Sequence, residues 1–209
     1  MARFLVVFDV DSTLINEEAI EVLAEESGVR NEVAQITAAA MRGEMDFSES
    51  LKLRVAMLAG IPESKLEQVR NRLTLTFGAI ELISAIHAQG GVAAAVSGGF
   101  NQLLEPIRSS LKLDFVKAND LEIVDGKLSG KVLEPIVDGS AKAEFLLSLQ
   151  LELGLEREKT VAVGDGANDV KMIQQAGLGI AFCAKPALQE HAAVSIEKRD
   201  LAEIINLLP

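Results

Sequence analysis

Tryptophan and tyrosine are absent from this 209-residue chain, histidine occurs twice and cysteine once. With phenylalanine as the only aromatic, the platforms on which nucleic-acid bases stack are poorly supplied. Basic residues are also short: 20 Lys and Arg face 31 Asp and Glu, a formal net charge of −11. No nucleic-acid partner is expected, because neutralising phosphates needs a dense basic surface. A single cysteine excludes an intrachain disulfide and fits a reducing cytoplasm. So few His and Cys leave almost nothing for a thiolate or imidazole zinc site. A Ser-His-Asp triad would have to use His87, which sits in a helical pattern, or His191, in a polar stretch. No apolar run approaches the roughly 18 residues of a membrane span. The opening Phe4–Phe8 run stops at Asp9, too short for a signal-peptide core, so no membrane partner is expected either. If the chain is an enzyme, carboxylates, lysine, hydroxyls and backbone amides must carry its chemistry.

What is present is ample for one core, with 49% hydrophobic residues. Phe4–Phe8 is a continuous apolar run, the mark of a strand buried on both faces. Val92–Val96, Thr160–Val163 and Leu178–Phe182 resemble it, and shorter strands are expected at Phe115–Lys117 and Val194–Ile196. Helical patterns alternate with them near 79–89, 101–110, 140–153, 168–176 and 201–208. This alternation predicts an α/β, Rossmann-like fold: a mainly parallel sheet with helices on both faces. Leu121–Val124 and Lys127–Val132, joined by Asp125-Gly126, read as a small β-hairpin.

Residues 15–76 break the alternation. Four amphipathic segments, at 17–27, 31–42, 47–59 and 63–73, follow one another with no strand pattern between them. Gly28, Gly43 and Gly60 stop the first three, and Pro62 starts the last. The chain therefore divides into a core, residues 1–14 and 77–209, and a helical cap, residues 15–76, inserted after the first strand. The cap returns to the core through the loop around Phe77-Gly78.

In open parallel sheets, ligands bind beyond the carboxyl ends of the strands, where the strand order reverses. Asp9-Val10-Asp11-Ser12-Thr13 follows the first strand, Ser97-Gly98-Gly99 the second, and Gly164-Asp165-Gly166-Ala167-Asn168-Asp169 the Thr160–Val163 strand. Lys142 lies just inside the helix that precedes this last strand. Simpler readings of these segments fail. An EF-hand starting at Asp9 would need Gly and Glu where Leu14 and Ile20 stand, and a dinucleotide fingerprint would need Gly at Asp169. No P-loop motif exists. Four carboxylates on one rim repel: two like charges 4 Å apart cost about 4 kcal/mol at an effective dielectric of 20. Hard oxygen donors without His or Cys select Mg²⁺ to relieve them.

The DVDST, SGG, Lys142 and GDGANDVKM segments, in that order, resemble the four motifs of the haloacid dehalogenase-like superfamily of phosphohydrolases. Glu18, Met41, Phe47 and Arg54 in the insertion, and FCAKPALQEHA near the end, resemble its phosphoserine-hydrolysing branch along nearly the whole chain. The resemblance implies a Mg²⁺-dependent enzyme that hydrolyses L-phosphoserine to serine and phosphate, the last step of serine biosynthesis. Asp9 would be the nucleophile that forms an aspartyl phosphate, and Asp11 the general acid and base. Mg²⁺ would be held by Asp9, the Asp11 backbone carbonyl and Asp165, with Asp169 bound directly or through water. Ser97, Gly98 and Gly99, at a helix start, would bind the phosphoryl oxygens with Lys142 and Asn168. Arg54 would fork onto the substrate's α-carboxylate, Glu18 would accept from its α-ammonium, and Met41 and Phe47 would line the cap. Two other readings keep these residues: a phosphatase of another small phosphomonoester, such as phosphohomoserine, phosphothreonine or a sugar phosphate, and a catalytically silent phosphate-binding protein.

Overall fold

The computed structural model describes residues 2–209. Strand β1 (Leu5–Phe8) opens the chain, followed by a single wide turn, Val10–Leu14. Helices α1 (Ala19–Ala24), α2 (Arg30–Met41), α3 (Phe47–Ala56) and α4 (Lys65–Arg70) then run without an intervening strand. Alternation resumes with α5 (Ala79–Ala88), β2 (Val92–Phe100), α6 (Asn101–Leu111) and β3 (Phe115–Asn119). The hairpin β4 (Leu121–Val124) and β5 (Lys127–Val132) precedes α7 (Gly139–Glu152). The chain continues through β6 (Thr160–Gly164), α8 (Val170–Gln175), β7 (Leu178–Phe182), α9 (Pro186–Gln189) and β8 (Val194–Ile196). A tightly wound 3₁₀ segment, Leu201–Leu207, follows, where the sequence pattern suggests an ordinary helix.

Six strands pair in the order β3-β2-β1-β6-β7-β8, every pair parallel. This is the doubly wound α/β arrangement expected from the alternating runs. Leu5 to Phe8 are all completely buried because the pleat sends successive side chains to opposite covered faces. Val6 and Phe8 pack in one core with Leu82 and Ile86 of α5 and Leu103 and Ile107 of α6. Leu5 and Val7 pack in the other with Leu146 and Leu149 of α7 and Met172 of α8. Each such side chain contributes roughly 1.5–3 kcal/mol of burial. Among the described residues, no helix is long and apolar enough to cross a membrane.

Strand order reverses at β1, which lies between β2 and β6. The carboxyl ends of these three strands therefore share one crevice. The hairpin is hydrogen-bonded to the helical insertion: Gly60 N–H donates to the Leu128 carbonyl (2.8 Å), Leu128 N–H to that of Ile61 (2.9 Å) and Glu63 N–H to that of Gly126 (2.8 Å). One register detail matters for the site. Val96 pairs with Lys117 and Phe100 with Asn119, so β2 advances four residues while β3 advances two. Ser97-Gly98-Gly99 is thus a bulge inside an extended strand, with α6 beginning only at Asn101. The apolar run Val92–Val96 predicts a strand that ends before these residues, with a helix start at them; the strand instead runs on to Phe100. Register against β3 makes the bulge, and local sequence cannot reveal register.

Candidate active site

Asp9 is the first residue beyond β1, and the wide turn behind it closes with Ile15 N–H on the Val10 carbonyl (3.0 Å). Ser12 holds this turn at φ 56°, a left-handed conformation uncommon for a residue with a Cβ. The chain thereby doubles back: Ala19 N–H donates to Asp11 Oδ1 (2.7 Å), and Ser12 Oγ donates to Glu18 Oε1 (2.7 Å). Asp11 Oδ2 accepts from Ser97 Oγ (3.0 Å), which itself accepts from Gly99 N–H (2.7 Å). The first two motifs are therefore joined through the Asp11 carboxylate.

Lys142 is carried in by α7, whose start is fixed by the Asp138 side chain accepting from Ala141 N–H (2.9 Å). Its ammonium is fully buried and donates to Asp9 Oδ1 (2.5 Å) and Asp169 Oδ1 (2.7 Å). The other Asp169 oxygen accepts from the N–H groups of Asp165 (3.1 Å) and Gly166 (3.2 Å). Both oxygens of Asp169 are thus engaged within the protein. Asp165 differs: its Oδ1 is buried with no hydrogen-bond partner, as is Asn168 Oδ1.

The insertion closes over this rim. A narrow cavity is lined by Asp9, Asp11, Glu18, Arg54, Gly98 and Asn168, among others. Phe47 lies so close to Gly98 that an added Cβ would stand 2.4 Å from its ring, and a Cβ on Gly166 would stand 2.5 Å from Met41 Sδ. Glycine at these two positions lets the roof approach the floor. Arg54 is buried, with Nη1 on Thr37 Oγ1 (3.1 Å), Nη2 on Ser50 Oγ (3.3 Å) and Nε on the Ser50 carbonyl (3.2 Å).

Of the residues singled out from the sequence for the site, Asp9, Asp11, Glu18, Met41, Phe47, Arg54, Gly98, Gly99 and Asn168 line this cavity, and Asp165 and Asp169 cluster with Asp9 outside the lining. Ser97 and Lys142 stand behind its wall, touching Asp11 and Asp9 respectively. Sequence reasoning missed Ile20 and Leu51 in the lining, since apolar periodicity alone does not separate cavity-facing from core-facing positions. It also missed Thr37 and Ser50. The Ser50–Arg54 spacing of four places both on one face of α3, a usable signal; Thr37, on another helix, has none.

A family model described as haloacid dehalogenase-like hydrolase matches residues 6–174. The chain belongs to that family. Among curated relatives of this hydrolase, the phosphoserine phosphatase of Streptococcus thermophilus is 47% identical over 98% of this chain and 95% of its own length. The phosphoserine phosphatase SerB2 of Mycobacterium tuberculosis is 51% identical over 98% of this chain, which spans about half of that relative (50%). A solved structure described as a phospho-aspartyl intermediate analogue of phosphoserine phosphatase superimposes with a TM-score of 0.97 at 46% identity, covering 100% of both chains.

Electrostatics sets what this hydrolase site must bind. Burial, reinforced by Asp169, pushes the Asp9 carboxyl well above its ordinary value against the pull of Lys142. Burial, with Glu18 and Asp9, raises Asp165 likewise. Burial alone raises Asp11, opposed by Ala19 N–H and Ser97. Lys142 is lowered by burial, but Asp169 and Asp9 outweigh this and hold it above its ordinary value. The cluster is therefore short of positive charge. One oxygen each of Asp9, Asp165 and Asp169 lies within 4.8 Å of the others. Together with the orphaned Asp165 Oδ1, this all-oxygen donor set fits a hard divalent cation.

Glu18 gives the charge excess a measurable consequence. Burial, then Asp11, raises it from 4.5 to about 7. A carboxyl raised by folding adds stability that is complete below about 4.5 and is lost as pH rises through about 7. Its share is about 2 kcal/mol once screening at its partly exposed edge is allowed for. Metal-free protein is expected to melt at a lower temperature at about pH 7.5 than at about pH 5.5. Calorimetry of Glu18→Gln beside the native chain isolates the share; equal pH slopes for the two would refute it.

Proposed function

We propose that this chain hydrolyses L-phosphoserine to serine and inorganic phosphate through a phosphorylated Asp9, with Mg²⁺ as the resident cation. The observation that carries the reading is the pairing of Arg54 and Glu18 in one cavity with Asp9 and Asp11. One end of the chamber suits a zwitterion and the other a phosphate ester. The relatives' names agree with it. A single cysteine fits placement in a reducing cytoplasm.

Asp9 attacks phosphorus, the bond from phosphorus to the seryl oxygen breaks, and Asp11 gives that oxygen its proton. The raised Asp11 carboxyl suits it to hold a proton until then. Asp11, now ionised, takes a proton from the water that attacks the Asp9 phosphate, and the bond from phosphorus to Asp9 oxygen breaks. Lys142 neutralises Asp9 throughout. Ser97 keeps Asp11 oriented, while Gly98, Gly99 and Asn168 face the phosphoryl group. Phe47 and Met41 exclude bulk water. Asp9, Asp165 and the Asp11 carbonyl would hold Mg²⁺, with Asp169 supporting through water because its own oxygens are engaged. Bound there, the cation would offset the negative charge of nucleophile and phosphate.

A panel of phosphomonoesters tests the substrate. Phosphoethanolamine lacks the carboxylate and 3-phosphooxypropanoate lacks the ammonium; each is expected to show kcat/KM at least about 10²-fold below phosphoserine. Arg54→Ala is expected to lower kcat/KM for phosphoserine by about 10²-fold and to leave phosphoethanolamine nearly unchanged. Equal losses on both substrates would remove the carboxylate assignment.

A further inference from the structure

We infer that Asn119, at the end of β3, is a positioning residue for phosphoryl binding: its side chain pins the Gly98-Gly99 peptide and ties it to the segment that launches Lys142. The inference rests on the phosphatase reading and adds a residue to it. Asn119 is 2% exposed and lies outside the cavity. Its Nδ2 donates to the Gly98 carbonyl (2.9 Å), and its Oδ1 accepts from Val137 N–H (2.7 Å). The amide orientation is fixed by these partners, since turning it over would face donor to donor and acceptor to acceptor.

The bulge explains why such a pin is needed. Ser97-Gly98-Gly99 leaves the β2–β3 ladder between the Val96–Lys117 and Phe100–Asn119 pairs. A bulged segment loses regular backbone partners, and two consecutive glycines add conformational freedom. Asn119 pairs with the residue just past the bulge and reaches back with a side-chain amide in place of the missing ladder bond. The two ends of the Gly98-Gly99 peptide are then both held: its carbonyl by Asn119, its N–H by Ser97 Oγ. The floor beneath the Phe47 ring therefore keeps one orientation. Through Val137 the same side chain reaches the start of α7, where Lys142 N–H bonds to the Asp138 carbonyl (2.9 Å). One buried amide thus couples the phosphoryl-facing peptide to the element carrying the buried lysine.

Two variants separate positioning from folding. Asn119→Asp keeps an acceptor for Val137 N–H and sets a second oxygen against the Gly98 carbonyl. Asn119→Ala deletes both bonds. With Mg²⁺ present and well below the melting temperature, both are expected to raise the inhibition constant of orthophosphate and the KM for phosphoserine together, by about tenfold or more. The ratio of phosphoserine to phosphoethanolamine turnover stays at the native value, because the serine end is untouched. Orthophosphate binding, followed by calorimetry, reads the same change without turnover. A lower melting temperature with native phosphate affinity in both variants would overturn the inference, leaving Asn119 a purely structural residue. A native chain without phosphoserine turnover would instead defeat the substrate reading, while the phosphate-affinity comparison still decides the role of Asn119.

Discussion

Asp9→Asn is expected to lose phosphoserine turnover by at least about 10⁴-fold while the protein remains folded. The variant exchanges a carboxylate for an amide of nearly the same shape. An amide oxygen does not form the acyl phosphate, so the covalent route closes. Folding is spared for a reason specific to this site. Asp9 is a buried carboxyl whose ionised form is already disfavoured by burial and by Asp169. Asparagine removes that strain and still presents an oxygen to the Lys142 ammonium, 2.5 Å away in the native chain. The melting temperature of the metal-free variant should equal or exceed the native value. Native kcat in Asp9→Asn would exclude the covalent mechanism; lost activity accompanied by unfolding would contradict the electrostatic reading of Asp9.

Lys142→Met is expected to damage both activity and stability. Turnover should fall by about 10³-fold or more, because a fixed positive charge beside the reacting group is lost. Removing one partner of a buried ionic cluster costs about 3–5 kcal/mol, and here Asp9 and Asp169 would face each other uncompensated. In a chain of this size the melting temperature drops by about 2–4 °C for each kcal/mol. The sign of the pH dependence tests the cause. Asp9, already raised by burial and by Asp169, is raised further once Lys142 no longer opposes it, so the deficit shrinks as pH falls and it protonates. Melting of metal-free native and variant protein at about pH 5 and about pH 7.5 should show the larger gap at the higher pH. A gap of the same size at both would mean that lost packing, rather than unbalanced charge, is responsible.

The sheet was readable from the chain because parallel strands buried on both faces leave continuous apolar runs: all six sheet strands and the hairpin coincide with such runs or with alternation. The helices of the insertion were readable from their periodicity and glycine stops. Helix α9, a single turn begun by Pro186, is too short for a period to show. Asp9, Asp11, Gly98, Gly99 and Asn168 were readable for topological reasons: acidic and glycine-rich segments directly after strands in a parallel sheet meet at one edge. Glu18, Met41, Phe47 and Arg54, on the insertion, were readable only through the family resemblance. What supports them was not. Thr37 reaches Arg54 from 17 residues away, and Asn119 reaches Gly98 from 21. Each is an ordinary polar residue until packing and register bring it opposite its partner. The Ser97-Gly98-Gly99 bulge belongs with them, since a strand acquires a bulge only relative to its neighbour.

The most direct test is rapid acid quenching of native protein with Mg²⁺ and phosphoserine labelled in its phosphate, followed by peptide mapping. Label on the peptide carrying Asp9, stable in acid, released by hydroxylamine and absent in Asp9→Asn, is the expected result. Full turnover with no protein-bound label at any quench time, or label on another residue, would contradict it.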